Sequence, residues 1–269
     1  MLKDITLGQF FPGNSVIHRL DPRTKLIMVI LYIVALFMAN YGILSYAVLL
    51  AFLISSIKIS GVGAKAVTRG LKPVLIILIF TAVLNMLYTS GEHELVSFWI
   101  FTITLEGIFS AIFIVLRIMM LITGTFLLTY TTSPIALTDG MESLLKPLKK
   151  IHIPVHELAM IMSIALRFIP TLIEETDKIM SAQKARGADF ETGSLLQRAK
   201  ALIPILVPLF ISAFRRADEL AVAMECRCYH GGEGRTRMKT LQYARLDVYA
   251  LLIGAALLVV IFVLKQIGL

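Results

Sequence analysis

Long apolar runs alternate with short basic segments along most of this chain. The first run covers residues 26–57, well beyond the roughly 20 residues that one membrane-spanning helix needs, and Asn40-Tyr41-Gly42 interrupts it. The pattern therefore predicts two short spans joined by a tight turn. Three further spans are predicted at residues 73–88, 106–130 and 248–264. The intervening segments 58–72 and 89–97 are predicted to be loops, the first basic and the second without Lys or Arg.

The region 133–245 has a different pattern. Its apolar runs, at 158–168 and 201–214, are too short to cross a bilayer comfortably, and prolines at 170, 204 and 208 are expected to break the helices. Apolar residues nevertheless recur at helical spacing. We expect two long amphipathic helices that pack together, the first running from about 155 to 186 over roughly 45–50 Å at 1.5 Å per residue.

The distribution of Lys and Arg predicts the topology. Basic residues are frequent before residue 26, in the 58–72 segment and throughout 133–245, and they are missing from 40–42 and 89–97. By the positive-inside rule, the N-terminus and 133–245 are cytoplasmic and the C-terminus is outside. The predicted fold is an all-α membrane protein of about five transmembrane helices, with a cytoplasmic region of long helices before the last span. The corresponding domains are 1–132, 133–245 and 246–269.

Composition supports a cell-membrane location and excludes several functions. Hydrophobic residues make up 57% of the 269 positions and charged residues only 16%, against roughly 25% charged in soluble domains. The net charge of +8 indicates cytoplasmic loops and contact with anionic lipid, and no nucleic-acid-binding motif is found. Two cysteines cannot form a disulfide framework, which favours a reducing compartment.

Two related segments lie in the 133–245 region. Each contains an Asp nine positions before an Arg. The number of residues between the two Asp residues therefore equals the number between the two Arg residues. Each Arg lies between small residues where an amphipathic helix is predicted to end. The first segment contains Asp177 and Ala185-Arg186-Gly187, and the second contains Asp218 and Cys226-Arg227-Cys228. Gly187 and the Gly231-Gly232 pair are expected to stop the two helices.

An Arg at a helix C-terminus is favoured by the helix dipole, and it can also form a bidentate pair with a carboxylate of a partner. The alternative is that each Arg is solvated and only compensates the dipole. The repetition of the segment favours two docking points, at Arg186 and Arg227.

The run Leu20-Asp21-Pro22-Arg23-Thr24-Lys25 precedes the first span. It has the features of a helix start, with Asp21 as N-cap, Pro22 in the first helical position, and Arg23 and Lys25 as cations at the membrane edge. A contact surface is the alternative.

Arg117 lies inside the fourth predicted span and Asn85 inside the third. Buried intramembrane charges are costly and often functional. Arg117 is interpreted as a structural partner for the backbone or for Asn85. The competing hypothesis is a stand-alone secondary transporter that uses both residues.

No metal or cofactor site is expected. Cys226 and Cys228 point apart on a helix, and Pro154 between His152 and His156 predicts a loop or helix start there. The phosphate-binding loop Gly-x-x-x-x-Gly-Lys-Ser/Thr and the motifs His-Glu-x-x-His and Gly-x-Ser-x-Gly are also missing from the sequence. An enzyme is therefore not predicted.

The 20–25 run, the Ala185-Arg186-Gly187 tripeptide and the second Arg-centred tripeptide resemble the transmembrane T component of energy-coupling factor (ECF) transporters, which are importers of the ATP-binding-cassette class. The resemblance covers nearly the whole chain. The second tripeptide departs from the Ala-Arg-Gly form because Cys lies on both sides of Arg227.

The resemblance implies a non-catalytic scaffold. Its Arg motifs would dock into two cytoplasmic ATPase subunits, identical or different, which would hydrolyse ATP. Its long coupling helices would hold a separate membrane protein, the S component, which binds a vitamin or metal ion. ATP-driven motion would pass through the scaffold, and the run 158–168 would suit an S-component surface or a helix–helix core.

Overall fold

Helices account for most of the chain in the computed structural model, which describes residues 10–39, 42–89, 94–98, 101–190, 192, 194–232 and 240–267. Short 3-10 helices at Lys72–Val74 and Lys146–Ile151 supplement ten α-helices in the described part. These are α1 (Val16–Arg19), α2 (Pro22–Met38), α3 (Ile43–Ser60), α4 (Ala64–Leu71), α5 (Leu75–Tyr88), α6 (Leu105–Thr131), α7 (Pro134–Leu145), α8 (Val155–Ala185), α9 (Leu195–Cys226) and α10 (Arg245–Ile267).

One antiparallel hairpin, β1 (Glu94–Phe98) and β2 (Phe101–Thr104), is added to this helical fold immediately before α6. The predicted loop over 89–97 was wrong for 94–97, which are extended. The β-branched and aromatic residues of both segments favour extended backbone. The all-α class is otherwise confirmed. Asn40 and Tyr41, from the predicted tight turn, lie outside the described residues.

The chain forms two compact units. Among the described residues, the first unit contains 10–141 and 241–267 and is called the bundle unit here. The second contains 142–232 together with residue 240, and is called the crossed-helix unit because α8 and α9 pack against each other in it.

The core of the bundle unit lies between α2, α3, α6 and α10. Its buried side chains are Tyr32, Ala35, Leu36, Ala39, Tyr46, Leu49, Leu53, Met120, Leu257 and Ile261. Two glycines permit close helix contacts. A Cβ at Gly124 of α6 would lie 2.7 Å from the Tyr32 ring, and one at Gly254 of α10 would lie 2.5 Å from the Met28 sulfur. Small residues commonly let membrane helices approach in this way.

Six described segments are long and apolar enough to cross a membrane by length and composition. They are Ile43–Ser60, Lys65–Tyr88, Leu105–Thr131, Val155–Ala185, Leu196–Cys226 and Arg245–Ile267. The prediction of about five spans differs from this set in two respects. It counted α2, whose 17 residues reach about 26 Å and fall just short of a hydrocarbon core of about 30 Å. It also left out α8 and α9, since it considered only their short apolar runs.

Two further local predictions were wrong. Residues 64–71 are helical as α4, although the sequence analysis assigned them to a loop. The helices also continue through all three prolines, which were expected to break them: α8 contains Pro170, and α9 contains Pro204 and Pro208. The helix predicted from about 155 to 186 is confirmed as α8. Each proline removes only one backbone hydrogen bond, and the intact turns on either side preserve the helix.

Candidate partner-docking site

Helices α8 and α9 are joined by polar contacts. An Arg216 guanidinium nitrogen donates to the Glu175 carboxylate at 2.8 Å, and the Gln183 side-chain amide donates to the Pro204 carbonyl at 3.3 Å. From Glu175 to Gln183 the contacts advance along α8, whereas their partners move back along α9 from Arg216 to Pro204. The two helices therefore run in opposite directions. The predicted packing of these segments is confirmed.

The ion pair divides the crossed helices symmetrically. Arg186 follows Glu175 in α8 by the same number of residues as Arg227 follows Arg216 in α9. Each Arg motif therefore lies at the same distance from the ion pair along its own helix. That distance is about three helical turns, or roughly 16 Å. Because the helices are antiparallel, Arg186 and Arg227 lie on opposite sides of the crossing. They are too far apart to bind one small ligand together, and they offer two separate contact points.

The end of α8 adopts a Schellman cap. Arg186 is the C-cap residue, and Gly187 follows with φ +88°. The Gly187 N–H donates to the Lys184 carbonyl at 3.0 Å, and the Ala188 N–H donates to the Gln183 carbonyl at 3.0 Å. The left-handed conformation of Gly187 explains why a glycine follows the Arg here. The predicted helix stop at Gly187 is confirmed.

The end of α9 adopts the same cap with a different residue in the left-handed position. Arg227 is the C-cap residue, and Cys228 has φ +54°. The Cys228 N–H donates to the Glu225 carbonyl at 2.8 Å, and the Tyr229 N–H donates to the Met224 carbonyl at 3.0 Å. The predicted stop at Gly231-Gly232 was wrong, because the helix ends at Cys226, before that pair.

Both Arg side chains are accessible. Arg186 and Arg227 are exposed, as are their small neighbours Ala185, Gly187, Cys226 and Cys228. Each Arg lies at a helix C-terminus, where a positive charge is favoured. Its planar set of donors can bind a carboxylate in bidentate fashion. Asp177 is half-buried and Asp218 is exposed. Each lies nine residues before its Arg, or about two and a half helical turns.

A buried polar cluster in the bundle unit contains the predicted helix start at Asp21. The Asp21 carboxylate accepts hydrogen bonds from the Arg23 backbone N–H at 2.9 Å and from the Arg23 guanidinium at 2.8 and 3.0 Å. Pro22 occupies the first position of α2, so the helix-start interpretation is confirmed. Burial alone would raise the pKa of Asp21, but the hydrogen bonds from Arg23 and the charges of Arg23 and Lys25 hold it below its ordinary value.

The cluster also joins distant parts of the chain. The buried Lys25 ammonium donates to the Thr131 carbonyl at the end of α6, at 2.9 Å. The Arg23 guanidinium lies 4.0 Å above the Tyr243 ring, a cation–π contact. These side chains therefore connect α2 with α6 and with the segment before α10, and they face the interior of the unit instead of forming an exposed contact surface.

Asp247 is the member of this cluster that the sequence analysis missed. It is 1% exposed. One carboxylate oxygen accepts the Asp21 N–H at 2.8 Å, and the other accepts the Ala244 N–H at 2.7 Å. Asp247 therefore holds the start of α10 against the start of α2. The only sequence signal was an acidic residue in the first turn of a very apolar helix.

Arg117 has structural partners. Its Nε donates to the Tyr46 hydroxyl at 2.8 Å, and Nη2 donates to the Ala39 carbonyl, at the C-terminal end of α2, at 3.1 Å. Asn85 instead donates to the Thr81 carbonyl in its own helix at 2.9 Å. Of the two partners considered for Arg117, the structure shows the backbone carbonyl.

The residues weighed for metal binding are separated by local geometry. Cys226 ends α9 and Cys228 lies in the turn beyond it, both as exposed free thiols. His152 lies in a left-handed turn, and His156 lies in the first turn of α8, where its Nδ1 is 3.0 Å from Glu142. This agrees with the predicted loop and helix start. Over the described ranges, no group of three or more His, Cys, Asp or Glu side chains is gathered as a metal site.

These features define a multi-pass helical membrane protein with two exposed Arg caps on a pair of crossed helices. Comparison with known proteins identifies its family. The model of the CbiQ family, described as "Cobalt transport protein", matches residues 13–239.

Three relatives are each named "Energy-coupling factor transporter transmembrane protein EcfT". The Clostridium kluyveri protein is 56% identical over 99% of this chain and 98% of its own length. The Acidaminococcus fermentans protein is 53% identical over 98% of each chain. The Bacillus subtilis protein is 50% identical over 96% of this chain and 98% of its own length. The chain belongs to this family, the transmembrane T components of ECF transporters, and the resemblance drawn from its sequence motifs is confirmed.

Proposed function

We propose that this chain is the coupling scaffold of an ECF-type importer in the cell membrane. In this proposal, Arg186 and Arg227 dock into two cytoplasmic ATPase subunits, identical or different. Helices α8 and α9 carry ATP-driven motion to an S component that binds a vitamin or metal ion. The chain itself is not an enzyme and hydrolyses no ATP. The observation that carries the proposal is that two identical backbone caps present one exposed Arg each, on opposite sides of a helix crossing.

The geometry suits transmission of force. The Glu175–Arg216 ion pair joins α8 and α9 about two-thirds of the way along each helix, so a displacement of either Arg end is passed to the other helix at that point. Rigid helices with discrete contacts are the elements through which such coupling travels. Apolar side chains of α8 such as Leu158, Ile161 and Met162 are exposed and would contact the S component, whereas the polar caps would contact the ATPases.

The proposed topology follows the charge distribution. The N-terminus and 133–245 are cytoplasmic, the C-terminus is outside, and α8 and α9 do not cross the membrane. The proposed domains are 1–132, 133–245 and 246–269. With five spans in this arrangement, Arg186 and Arg227 are on the side where ATP is available. The positive-inside rule supports this arrangement.

The two native cysteines allow a direct test of the topology. Cys226 and Cys228 are the only cysteines of the chain, and both are exposed. In cells that express the chain without its ATPase partners, so that the α9 cap is not covered, a membrane-impermeant maleimide should label neither cysteine in intact spheroplasts and both after permeabilisation. Labelling in intact spheroplasts would place the α9 cap outside and overturn the proposed orientation. A double Cys→Ser variant controls for non-specific labelling.

The proposed function as a whole is tested by gentle purification from the native host and identification of the co-purifying chains. Two cassette ATPases and a small membrane protein are expected, with ATP-dependent uptake after reconstitution of the assembly. The competing result is that the chain, purified alone, moves substrate into liposomes down an ion gradient. That result would establish a secondary transporter and overturn the scaffold proposal.

A further inference from the structure

The segment between α7 and α8 is a compact basic surface in the crossed-helix unit. Its 3-10 helix, Lys146–Ile151, contains three exposed lysines and no acidic residue: Lys146, Lys149 and Lys150. In a 3-10 helix, residues i and i+3 lie on the same side, which places Lys146 and Lys149 together. With Ser143 and Pro147, the three lysines line an open cavity of about 520 Å³.

Aliphatic side chains flank these lysines. Leu145 is 45% exposed, Ile151 is 72% exposed and Ile153 is 37% exposed. Exposed aliphatic residues interleaved with lysines are typical of segments that lie in the interface of a membrane, where apolar groups enter the acyl boundary and ammonium groups reach the headgroups.

Chain connectivity keeps this surface within reach of the bilayer. Helix α6, a candidate span, ends at Thr131, and α7 runs from Pro134 to Leu145. Twelve helical residues extend no more than about 18 Å.

We propose that Lys146, Lys149 and Lys150, with Ile151, form a binding surface for the phosphate headgroups of anionic lipids, and that it holds this part of the chain on the membrane. An acidic protein surface would complement the lysines but would leave the adjacent aliphatic side chains without an apolar partner. At a bilayer interface, anionic phosphate headgroups lie next to the apolar acyl chains, so the lysines and the aliphatic side chains both find a partner. The proposal is independent of the ATPase-docking function.

The test is native mass spectrometry of the full-length chain in mild detergent, with dissociation constants measured for phosphatidylglycerol and phosphatidylcholine. The wild type should prefer phosphatidylglycerol. One lysine beside an anionic headgroup changes affinity roughly fivefold, so the triple variant K146Q/K149Q/K150Q should bind phosphatidylglycerol at least about tenfold more weakly. Its affinity for phosphatidylcholine should be unchanged.

The matched control is K178Q/K184Q/K200Q, which removes the same charge from exposed lysines of α8 and α9. It should retain the lipid preference, and both variants should elute from size exclusion as the wild type does. Equal phosphatidylglycerol affinity in wild type and K146Q/K149Q/K150Q would overturn the proposal. So would an equal loss in the control. Unchanged lipid binding with loss of a co-purifying protein would assign the surface to a protein partner instead.

Discussion

Replacement of Asp247 by Ala tests whether one buried carboxylate connects the starts of α2 and α10. In the wild type, this side chain accepts N–H groups from Asp21 and Ala244 at 2.8 and 2.7 Å while only 1% exposed. Hydrogen bonds to a charged acceptor contribute roughly 1.5–3 kcal/mol each, and the variant would leave two backbone donors unpaired. We therefore expect a loss of about 3–5 kcal/mol in the free energy of unfolding.

The loss is measurable as a change in melting temperature. At about 2–4 °C per kcal/mol for a chain of this size, the midpoint should fall by roughly 6–20 °C. The assay is fluorescence-detected size exclusion of the tagged full-length chain after heating in mild detergent. A thiol-reactive unfolding dye is unsuitable, because both cysteines are already exposed.

Two comparison variants complete this design. Asp247→Asn retains one carbonyl oxygen but directs an amide donor at the second N–H, so its loss should be intermediate. Asp218→Ala removes an exposed carboxylate of α9 and should change stability by no more than about 0.5 kcal/mol. A midpoint for Asp247→Ala within about 2 °C of the wild type would refute the reasoning that this carboxylate holds the two helix starts.

Two further predictions use the same heating assay or amide hydrogen exchange. Arg117→Ala should lose about 2–4 kcal/mol, because the Ala39 carbonyl and the Tyr46 hydroxyl both lose their donor; Tyr46→Phe should lose clearly less, and equal losses would contradict the role given to the carbonyl. Gly187→Ala should destabilise the end of α8 by about 1 kcal/mol, since φ is +88°, and Cys228→Gly should stabilise the end of α9 by a similar amount. Exchange rates of the last-turn amides report both effects. Unchanged or slower exchange in Gly187→Ala, or faster exchange in Cys228→Gly, would contradict the cap assignment.

Most of the long helices could be predicted from sequence because long apolar runs and the residues at helix ends are local signals. Asp21 and Pro22 mark the beginning of α2 in this way, and Gly187 marks the end of α8. The cap at Cys228 could not be predicted, since cysteine has no preference for left-handed backbone, and the nearby Gly231-Gly232 pair was the stronger signal. The left-handed backbone at Cys228 is stabilised by the same Schellman hydrogen bonds as at Gly187, and these are visible only in the structure.

Contacts between distant positions were also inaccessible to local patterns. Asp247 is far from Asp21 in the chain, and nothing in the 245–250 segment indicates its partner. Glu175 lies among charged residues of α8, and nothing in its neighbours indicates that it pairs with Arg216. The constant offset recognised for the Arg motifs also relates Glu175 to Arg216, but the offset alone does not predict a contact, since Arg186 and Arg227 share it and lie apart.

The most direct test of the account counts the ATPase chains bound to one T component by native mass spectrometry of the purified assembly. The wild type and Arg198→Glu, a charge-reversal control at an exposed position of α9, should each retain two ATPase chains. Arg186→Glu and Arg227→Glu should each retain one, and the double variant none, because loss of a buried interfacial charge costs about 2–5 kcal/mol. Retention of two ATPase chains by the double variant would contradict the claim that the two Arg caps are the docking points.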